Sequence, residues 1–112
     1  MLKKEVLRKK EDFTEIYKRG KSIPERYIVF FFRKNGLSYN RTAFLASKKV
    51  GNSVQRNRAK RLMKESFRLS CRNAVPGHDM IFVARNSIKG RKFSDVDRSL
   101  IRALKKGKLL RE

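Results

Sequence analysis

The sequence predicts an α+β fold, a two-layer sandwich in which helices pack against a small sheet in the order α-β-β-α-β-α. Three stretches carry apolar residues at helical spacing, and three shorter ones are rich in β-branched and aromatic residues, as strands are. The chain has 112 residues, the size of one domain, and its eight Phe residues suffice for a modest core. We therefore expect a single domain over residues 1–112.

The first predicted helix covers residues 10–19. Phe13, Ile16 and Tyr17 fall at i, i+3 and i+4, so they share one face. Gly20 follows directly and suits a left-handed residue just past the C-terminus of the helix.

Two strands follow this helix. Residues 26–34, RYIVFFFRK, form the first, and residues 41–47 form the second, predicted to run antiparallel to it after a turn at 35–40. The pleat of the first strand predicts one face made of Tyr27, Val29, Phe31 and Arg33. The opposite face is predicted to hold Ile28, Phe30 and Phe32.

The second helix begins after Gly51, with Asn52 or Ser53 as its N-cap. A helical wheel groups its apolar arc as Ala59, Leu62, Met63, Ser66, Phe67 and Leu69. The opposite arc holds Asn57, Lys60, Arg61, Lys64 and Arg68. This pattern predicts an amphipathic helix whose polar side is almost entirely positive.

The remaining elements are a third strand over residues 80–85 and a last helix. Ser94 is the predicted N-cap of that helix, with Asp97 three residues later in the pattern of a capping box. His78 and Asp79 are assigned to the turn before the third strand.

The charge balance points to a polyanionic partner. Thirty-one Lys and Arg face ten Asp and Glu, giving a formal net charge of +21 and a pI of about 11.1. Such an excess destabilises the compact state, and nucleic acid is the leading partner, with an anionic membrane surface second. No apolar run is long enough to span a bilayer, and no secretory signal opens the chain. With a single cysteine, Cys71, we expect a cytoplasmic protein.

The positive charge is densest between Lys48 and Arg72, where nine cations face one acid, Glu65. An ordinary solvated helix face mixes signs, because like charges at i,i+4 destabilise a helix by roughly 0.2–0.5 kcal/mol per pair. The planar guanidinium group of Arg can also donate two parallel hydrogen bonds to phosphate oxygens. Asn57 lies between two arginines, and its amide suits a base edge, a ribose hydroxyl, a metal-bound water or solvent. The segment therefore predicts an RNA or DNA interface.

The aromatic residues allow two interpretations. Core packing is favoured for Phe30, Phe32, Phe44, Phe67 and Phe82. For Phe13, Tyr17 and Phe31 the sequence alone leaves core packing and stacking on single-stranded nucleic acid equally open.

The sequence contains no set of residues suited to bond cleavage. His78 is the only histidine, no His/Cys/Asp/Glu cluster has ligand spacing, and no phosphate-binding glycine loop is present. We expect neither a protein-bound metal nor a small-molecule substrate.

One segment resembles a known family. FLASKKVGNSVQRNRAKRLMKESF, residues 44–67, is similar to the signature of the bacterial ribonuclease P protein subunit, centred on its RNR motif at residues 56–58. LRKKEDFTEIYKRGKSI upstream and HDMIFVARNSI downstream resemble the same family, so the likeness covers about residues 5–105.

The resemblance implies a subunit of a ribonucleoprotein endonuclease that removes the 5′ leader of precursor tRNA, with Mg²⁺ bound mainly by the RNA subunit, which carries out the chemistry. The protein is expected to bind the ribonuclease P RNA and precursor tRNA. Its RNA contacts are implied at Lys48, Lys49, Arg56, Asn57, Arg58, Lys60, Arg61, Lys64 and Arg68. Its leader-binding cleft, between the first helix and the sheet, is implied at Phe13, Tyr17 and Phe31, where Tyr17 replaces the usual Phe.

The resemblance also changes the expected topology. Strand–helix–strand crossovers between parallel strands are right-handed in about 98% of cases. The family is similar to a ribosomal-protein-type fold with a left-handed β-α-β crossover, so we expect the left hand here. Two alternatives remain open: a structural RNA-binding protein of ribosomal type, and a nuclease that needs no RNA subunit.

Overall fold

The computed structural model describes residues 2–111, which form a four-stranded sheet with helices on both faces. The elements are α1 (Lys10–Arg19), β1 (Lys21–Pro24), β2 (Ile28–Lys34), β3 (Arg41–Leu45), α2 (Ser53–Ser70), β4 (His78–Ala84) and α3 (Phe93–Lys106). Short 3₁₀ turns lie at Lys3–Glu5, Lys48–Val50 and Asn86–Ile88. The predicted α+β class and all six predicted elements are confirmed, and β1 is an additional strand that the sequence analysis missed. Two layers were predicted, but α1 covers the face of the sheet opposite α2 and α3.

The sheet is mixed, with the strand order β1-β2-β4-β3. β2 pairs antiparallel with both β1 and β4, and β3 pairs parallel with β4. β2 and β3 therefore run in opposite directions, as predicted, but β4 separates them. α2 makes the crossover between the parallel strands β3 and β4, and the left hand of that crossover stays a prediction.

The two faces of the sheet are covered unequally. On one face Phe30 stacks on Phe32 and Phe82, with ring centroids 5.0 and 4.8 Å apart, and this core packs against α2 and α3. On the other face Ile16 of α1 joins a smaller cluster around Ile81. Four members of that smaller cluster stay partly exposed: Phe13, Phe31, Leu45 and Val83. The first face is closed, whereas α1 leaves the second partly open.

The alternation predicted for β2 is confirmed within the strand but fails at its start. Phe30 and Phe32 lie in the closed core, and Phe31 lies in the cluster under α1. Tyr27 was predicted to share the face of Phe31, yet it is buried in the closed core. It precedes β2, which begins at Ile28, so the pleat of the strand does not fix its direction.

Gly20 has a different role from the one predicted. Its backbone is extended, with φ −81° and ψ 178°, so it is not a left-handed residue. A Cβ there would lie 2.5 Å from the carbonyl oxygen of Ile16 and 2.6 Å from that of Phe32. The glycine is required because the chain passes close to the backbone of β2 as it leaves α1.

The start of α3 was also predicted wrongly. The helix begins at Phe93 with Lys92 as N-cap, and Asp95 accepts a hydrogen bond from the Lys92 N–H at 3.4 Å. Asp97 is not part of the cap. Its carboxylate instead accepts hydrogen bonds from the hydroxyls of Ser66 and Ser70, at 2.7 and 2.6 Å, and so joins α3 to α2.

Candidate nucleic-acid interface

The start of α2 is fixed by a reciprocal cap. The side chain of Asn52 accepts a hydrogen bond from the Gln55 N–H, and the side chain of Gln55 accepts one from the Asn52 N–H, both at 2.9 Å. Asn52 is therefore the N-cap, one of the two residues predicted. The first turn contains no acid, so the positive end of the helix dipole is reinforced by the arginines that follow it. This end of α2 attracts anions.

The polar face of α2 is exposed along its length. It comprises Asn57, Lys60, Arg61, Lys64 and Arg68, as predicted. Arg68 donates to the carboxylate of Glu65 at 3.0 and 2.9 Å, and these hydrogen bonds raise the pKa of Arg68 and lower that of Glu65. Lys60, Arg61 and Lys64 form no ion pair within residues 2–111. Only Leu69 departs from the predicted wheel, because its side chain is 46% exposed.

The two arginines of the RNR motif lie at the side of this face. Arg56 and Arg58 are half-buried, and Asn57 between them is exposed. Arg58 donates to the carbonyl oxygen of Arg91 at 2.9 Å, so it also fixes the loop that follows β4. One of its five N–H donors is thus used within the protein, and the others remain for a partner.

Lys48 and Lys49 lie at the carboxyl ends of the parallel strands. Both are exposed in the 3₁₀ turn Lys48–Val50, whose Val50 is buried. This turn contacts the 3₁₀ turn Asn86–Ile88, which follows β4. Further exposed cations that the sequence analysis missed lie in the segment after β4: Arg85, Lys89, Arg91 and Lys92. The signal that could have found them is the parallel pairing of β3 and β4, because parallel strands end at the same edge of a sheet.

The three predicted cleft aromatics meet on the open face of the sheet. Phe13 and Phe31 pack in the same partly buried cluster. The ring of Tyr17 meets that of Phe31 edge to face, with centroids 4.9 Å apart and planes at 85°. Tyr17 is 46% exposed, and burial of the rest of its side chain raises the pKa of its hydroxyl. The phenol therefore stays neutral and does not repel a phosphate.

Ion pairs hold α1 at a fixed distance from the sheet. Arg41 of β3 donates to Asp79 of β4 at 2.8 and 2.6 Å and reaches Asp12 of α1 at 3.4 Å. The hydrogen bonds to Asp79 raise the pKa of Arg41. Arg33 of β2 bonds Glu15 of α1 at 3.2 Å. These contacts fix the position of α1 over the sheet, and they lie on the face of the sheet opposite α2.

His78 and Asp79, the residues that could have suggested catalysis, do not interact with each other. His78 lies in β4 and not in a turn, and it is buried beside Phe32, with ring centroids 6.4 Å apart. The adjacent Asp79 bonds Arg41, so the two residues form no acid–base pair. Within residues 2–111 no group of His, Cys, Asp and Glu could hold a metal ion. Nor is any helix in that range long and apolar enough to cross a membrane.

Comparisons with known proteins agree with this geometry. The profile of a family described as Ribonuclease P matches residues 1–108. The ribonuclease P protein component of Clostridium botulinum (strain Langeland) is 45% identical over 106 residues, covering 94% of this chain and 96% of that protein. Among solved structures, the Staphylococcus aureus RNase P protein at 2.0 Å superposes with a TM-score of 0.86 at 31% identity, covering 96% of this chain and 98% of the other. The Thermotoga maritima RNase P protein gives 0.82 at 34% identity, with 91% and 96% covered.

We expect the thiol of Cys71 to be unreactive towards thiol reagents in the folded chain. Burial, with a smaller contribution from the nearby Asp97 carboxylate, raises the pKa of its thiol to about 12. The ordinary pKa of a cysteine thiol is about 8.5. Because the pKa is raised in the folded chain, the buried thiol contributes fully to the free energy of unfolding below that pH, and the contribution is lost as the pH rises towards 12. At pH 8 a disulfide reagent should label the native chain far more slowly than the chain unfolded in guanidinium. Equal rates would contradict the burial of Cys71, and a Cys71→Ser variant gives the background.

Proposed function

The chain belongs to the ribonuclease P protein family and serves as a protein subunit of that endonuclease, and we propose that it does so by holding two RNA segments on opposite sides of one sheet. The cationic face of α2, with Lys48 and Lys49, binds the catalytic RNA. The cleft between α1 and the sheet binds the 5′ leader of precursor tRNA. Both bound segments lie away from the closed core, so the fold need not open to accept them.

The observation that carries this proposal is the separation of paired from unpaired cations. Arg33 and Arg41 are paired with acids under α1, whereas Lys60, Arg61 and Lys64 on α2 have no ion-pair partner within the described range. Phosphates of a folded RNA would neutralise that face and release their counterions, which provides affinity without reading sequence. Arg56 and Arg58 extend the same surface towards Lys48 and Lys49 at the strand ends.

The cleft supplies a different kind of contact. Tyr17 presents a half-exposed ring, and Phe13 and Phe31 border it with partly exposed rings. Stacking on aromatic faces holds single-stranded nucleic acid regardless of sequence, which suits leaders that differ between tRNA genes. A mature tRNA has no leader and gains nothing from this cleft. The proposed cleft thus favours substrate over product.

The chemistry is assigned to the RNA and its Mg²⁺ ions. Mg²⁺ prefers oxygen ligands, and the α2 face offers cationic side chains with Asn57 as its exposed amide. The residues of this interface therefore do not fit a Mg²⁺ site of their own. We expect the RNA subunit and substrate to hold the ion, with Asn57 placed to contact a metal-bound water and the cations lowering the repulsion between converging phosphates.

Reconstitution tests the function as a whole. The purified chain should accelerate leader removal from precursor tRNA when it is added to a bacterial ribonuclease P RNA at low Mg²⁺, because it neutralises phosphates that Mg²⁺ must otherwise screen. The chain alone, with Mg²⁺ and no RNA subunit, should leave the precursor intact. Cleavage by the chain alone would indicate a protein-only nuclease. Binding to the RNA without any acceleration would indicate a structural RNA-binding protein.

Replacing one exposed cation of α2 should change the salt dependence of RNA binding. Arg61→Ala removes one phosphate contact, so the slope of log K against log salt should become shallower by about 0.7–1 unit. Filter binding or fluorescence anisotropy over a salt series measures it. Arg61 is preferable to Arg58, whose bond to Arg91 would also be lost. Arg102→Ala, at an exposed position of α3, removes the same charge and should leave the slope unchanged, so equal slopes for both variants would contradict α2 as the docking face.

Removing the exposed ring of the cleft should affect only the substrate that has a leader. Tyr17→Ala should lower the affinity of the reconstituted enzyme for precursor tRNA by roughly 5- to 100-fold, since one base loses its stacking partner. Binding of mature tRNA should stay within error of the wild type. Tyr17→Phe keeps the ring and should bind precursor normally. Parallel losses for precursor and mature tRNA would show that the leader does not lie in this cleft.

A further inference from the structure

A second concave site lies at the edge of the sheet, where α2 passes beyond β3. It is a cavity of about 410 Å³ between the second half of α2, the turn before β3 and the 3₁₀ turn Lys3–Glu5. Its volume falls within the range of pockets that hold small ligands, about 300–1,000 Å³. None of the three cleft aromatics lines it, so it is separate from the cleft under α1.

The inner surface of this cavity is mainly apolar, with two aromatic residues. Phe67 is held in place by the core, with its ring centroid 6.1 Å from that of Phe44 and 5.6 Å from that of Phe82. Tyr39 is half-buried, and the ammonium of Lys4 lies 4.6 Å from its ring centroid. The buried thiol of Cys71 completes this surface. A flat, apolar group fits such a lining better than a sugar or a peptide does.

One wall of the cavity is cationic. Lys64 and Arg68 are four residues apart on α2, so they line the same side of the helix, and Arg72 follows just after its C-terminus; all three are exposed. Arg68 pairs with Glu65, whereas Lys64 and Arg72 form no ion pair in the part of the chain that the structure describes. Glu5, from the 3₁₀ turn Lys3–Glu5, also lines the cavity. An anionic group entering the cavity is therefore attracted by three cations and repelled by one carboxylate.

We propose that this cavity receives one unstacked nucleotide of the RNA partner, with its base between Tyr39 and Phe67 and its phosphates on the Lys64–Arg68–Arg72 wall. The inference rests on the proposed docking of RNA on α2 and deepens it, because Lys64 and Arg68 belong both to that face and to this cavity. Charge complementarity selects a polyanion, and the aromatic lining selects a base. Asn40 on the same lining offers an amide for a base edge.

Such a site adds selectivity to a contact that would otherwise be purely electrostatic. Phosphate contacts along α2 set orientation but carry no information about which RNA is bound. A pocket that admits a base only where the strand is unstacked recognises a loop or bulge at a fixed distance from those phosphates. The RNA subunit would then be distinguished from a plain duplex of equal charge.

The isolated site can be tested with adenosine 5′-monophosphate as probe. In a titration of the ¹⁵N-labelled chain, amide shifts should change at Asn40, Cys71 and Ala74 and stay unchanged at Tyr17 and Phe31. Adenosine 5′-monophosphate should bind more tightly than either adenosine or inorganic phosphate, because it uses both the lining and the cationic wall. Tyr39→Leu should weaken it roughly tenfold, and Tyr39→Phe should not. Shifts at the cleft, or equal binding of inorganic phosphate, would overturn the proposal.

Binding of the whole RNA separates this inference from the function it rests on. Tyr39→Leu should lower the affinity for ribonuclease P RNA roughly tenfold without changing the salt slope, because it removes a ring and no charge. Arg61→Ala should change the slope. A Tyr39→Leu chain that melts like the wild type and binds RNA as well as Tyr39→Phe overturns the pocket and leaves α2 docking intact. If the Arg61→Ala chain keeps the salt slope of the wild type and the wild-type chain itself binds the RNA only weakly, the docking on α2 is contradicted.

Discussion

Mutual repulsion among the cations is the constraint on which this structure depends. A formal net charge of +21 over 112 residues cannot be neutralised internally, so the few carboxylates are placed where the scaffold needs them. Asp79 and Asp12 hold Arg41, Glu15 holds Arg33, and the buried Glu25 bonds Lys106 at 2.5 Å. The α2 face receives only Glu65. The segment around α2 is thereby left with a dense set of cations and a single acid, which favours an anionic partner there.

The sheet keeps the two proposed RNA surfaces independent. Its closed face supports α2, whose apolar side is buried through Ala59 and Met63, so the helix presents its cations on a rigid base. Its other face is covered by α1 over only part of its area, and the Arg41 network fixes how far α1 stands from the strands. A change in the cleft aromatics therefore leaves the packing of α2 untouched. In the proposed arrangement, the catalytic RNA and the substrate are positioned relative to each other by this one sheet.

Local patterns in the sequence predicted the elements well, because their causes are local. The spacing of Phe13, Ile16 and Tyr17 predicted the bounds of α1, and the cap of α2 at Asn52 was one of two residues foreseen. The cationic arc of α2 followed from its wheel alone. Each of these depends on residues within a few positions of one another. The aromatic cleft was assigned through the family resemblance, since the residues alone left it open.

What the sequence did not predict depends on distant parts of the chain. Gly20 is needed because of the backbone of Phe32, Asp97 binds hydroxyls of another helix, and Tyr27 turns into a core that its strand does not define. The cavity beside α2 draws on the N-terminal turn, the turn before β3 and α2. The periodicity of apolar residues along the chain does not indicate which distant segments come into contact. These features follow from the tertiary arrangement, which includes the order of the strands in the sheet.

That order has a consequence for biosynthesis. β4 lies between β2 and β3, yet it follows both along the chain. A nascent polypeptide that has not reached residue 78 holds the aromatic run of β2 and the edge of β3 with no strand to join them. The unpaired edges of β2 and β3 are prone to aggregation until β4 is made. The sheet therefore closes only near the end of translation, when the last third of the polypeptide emerges.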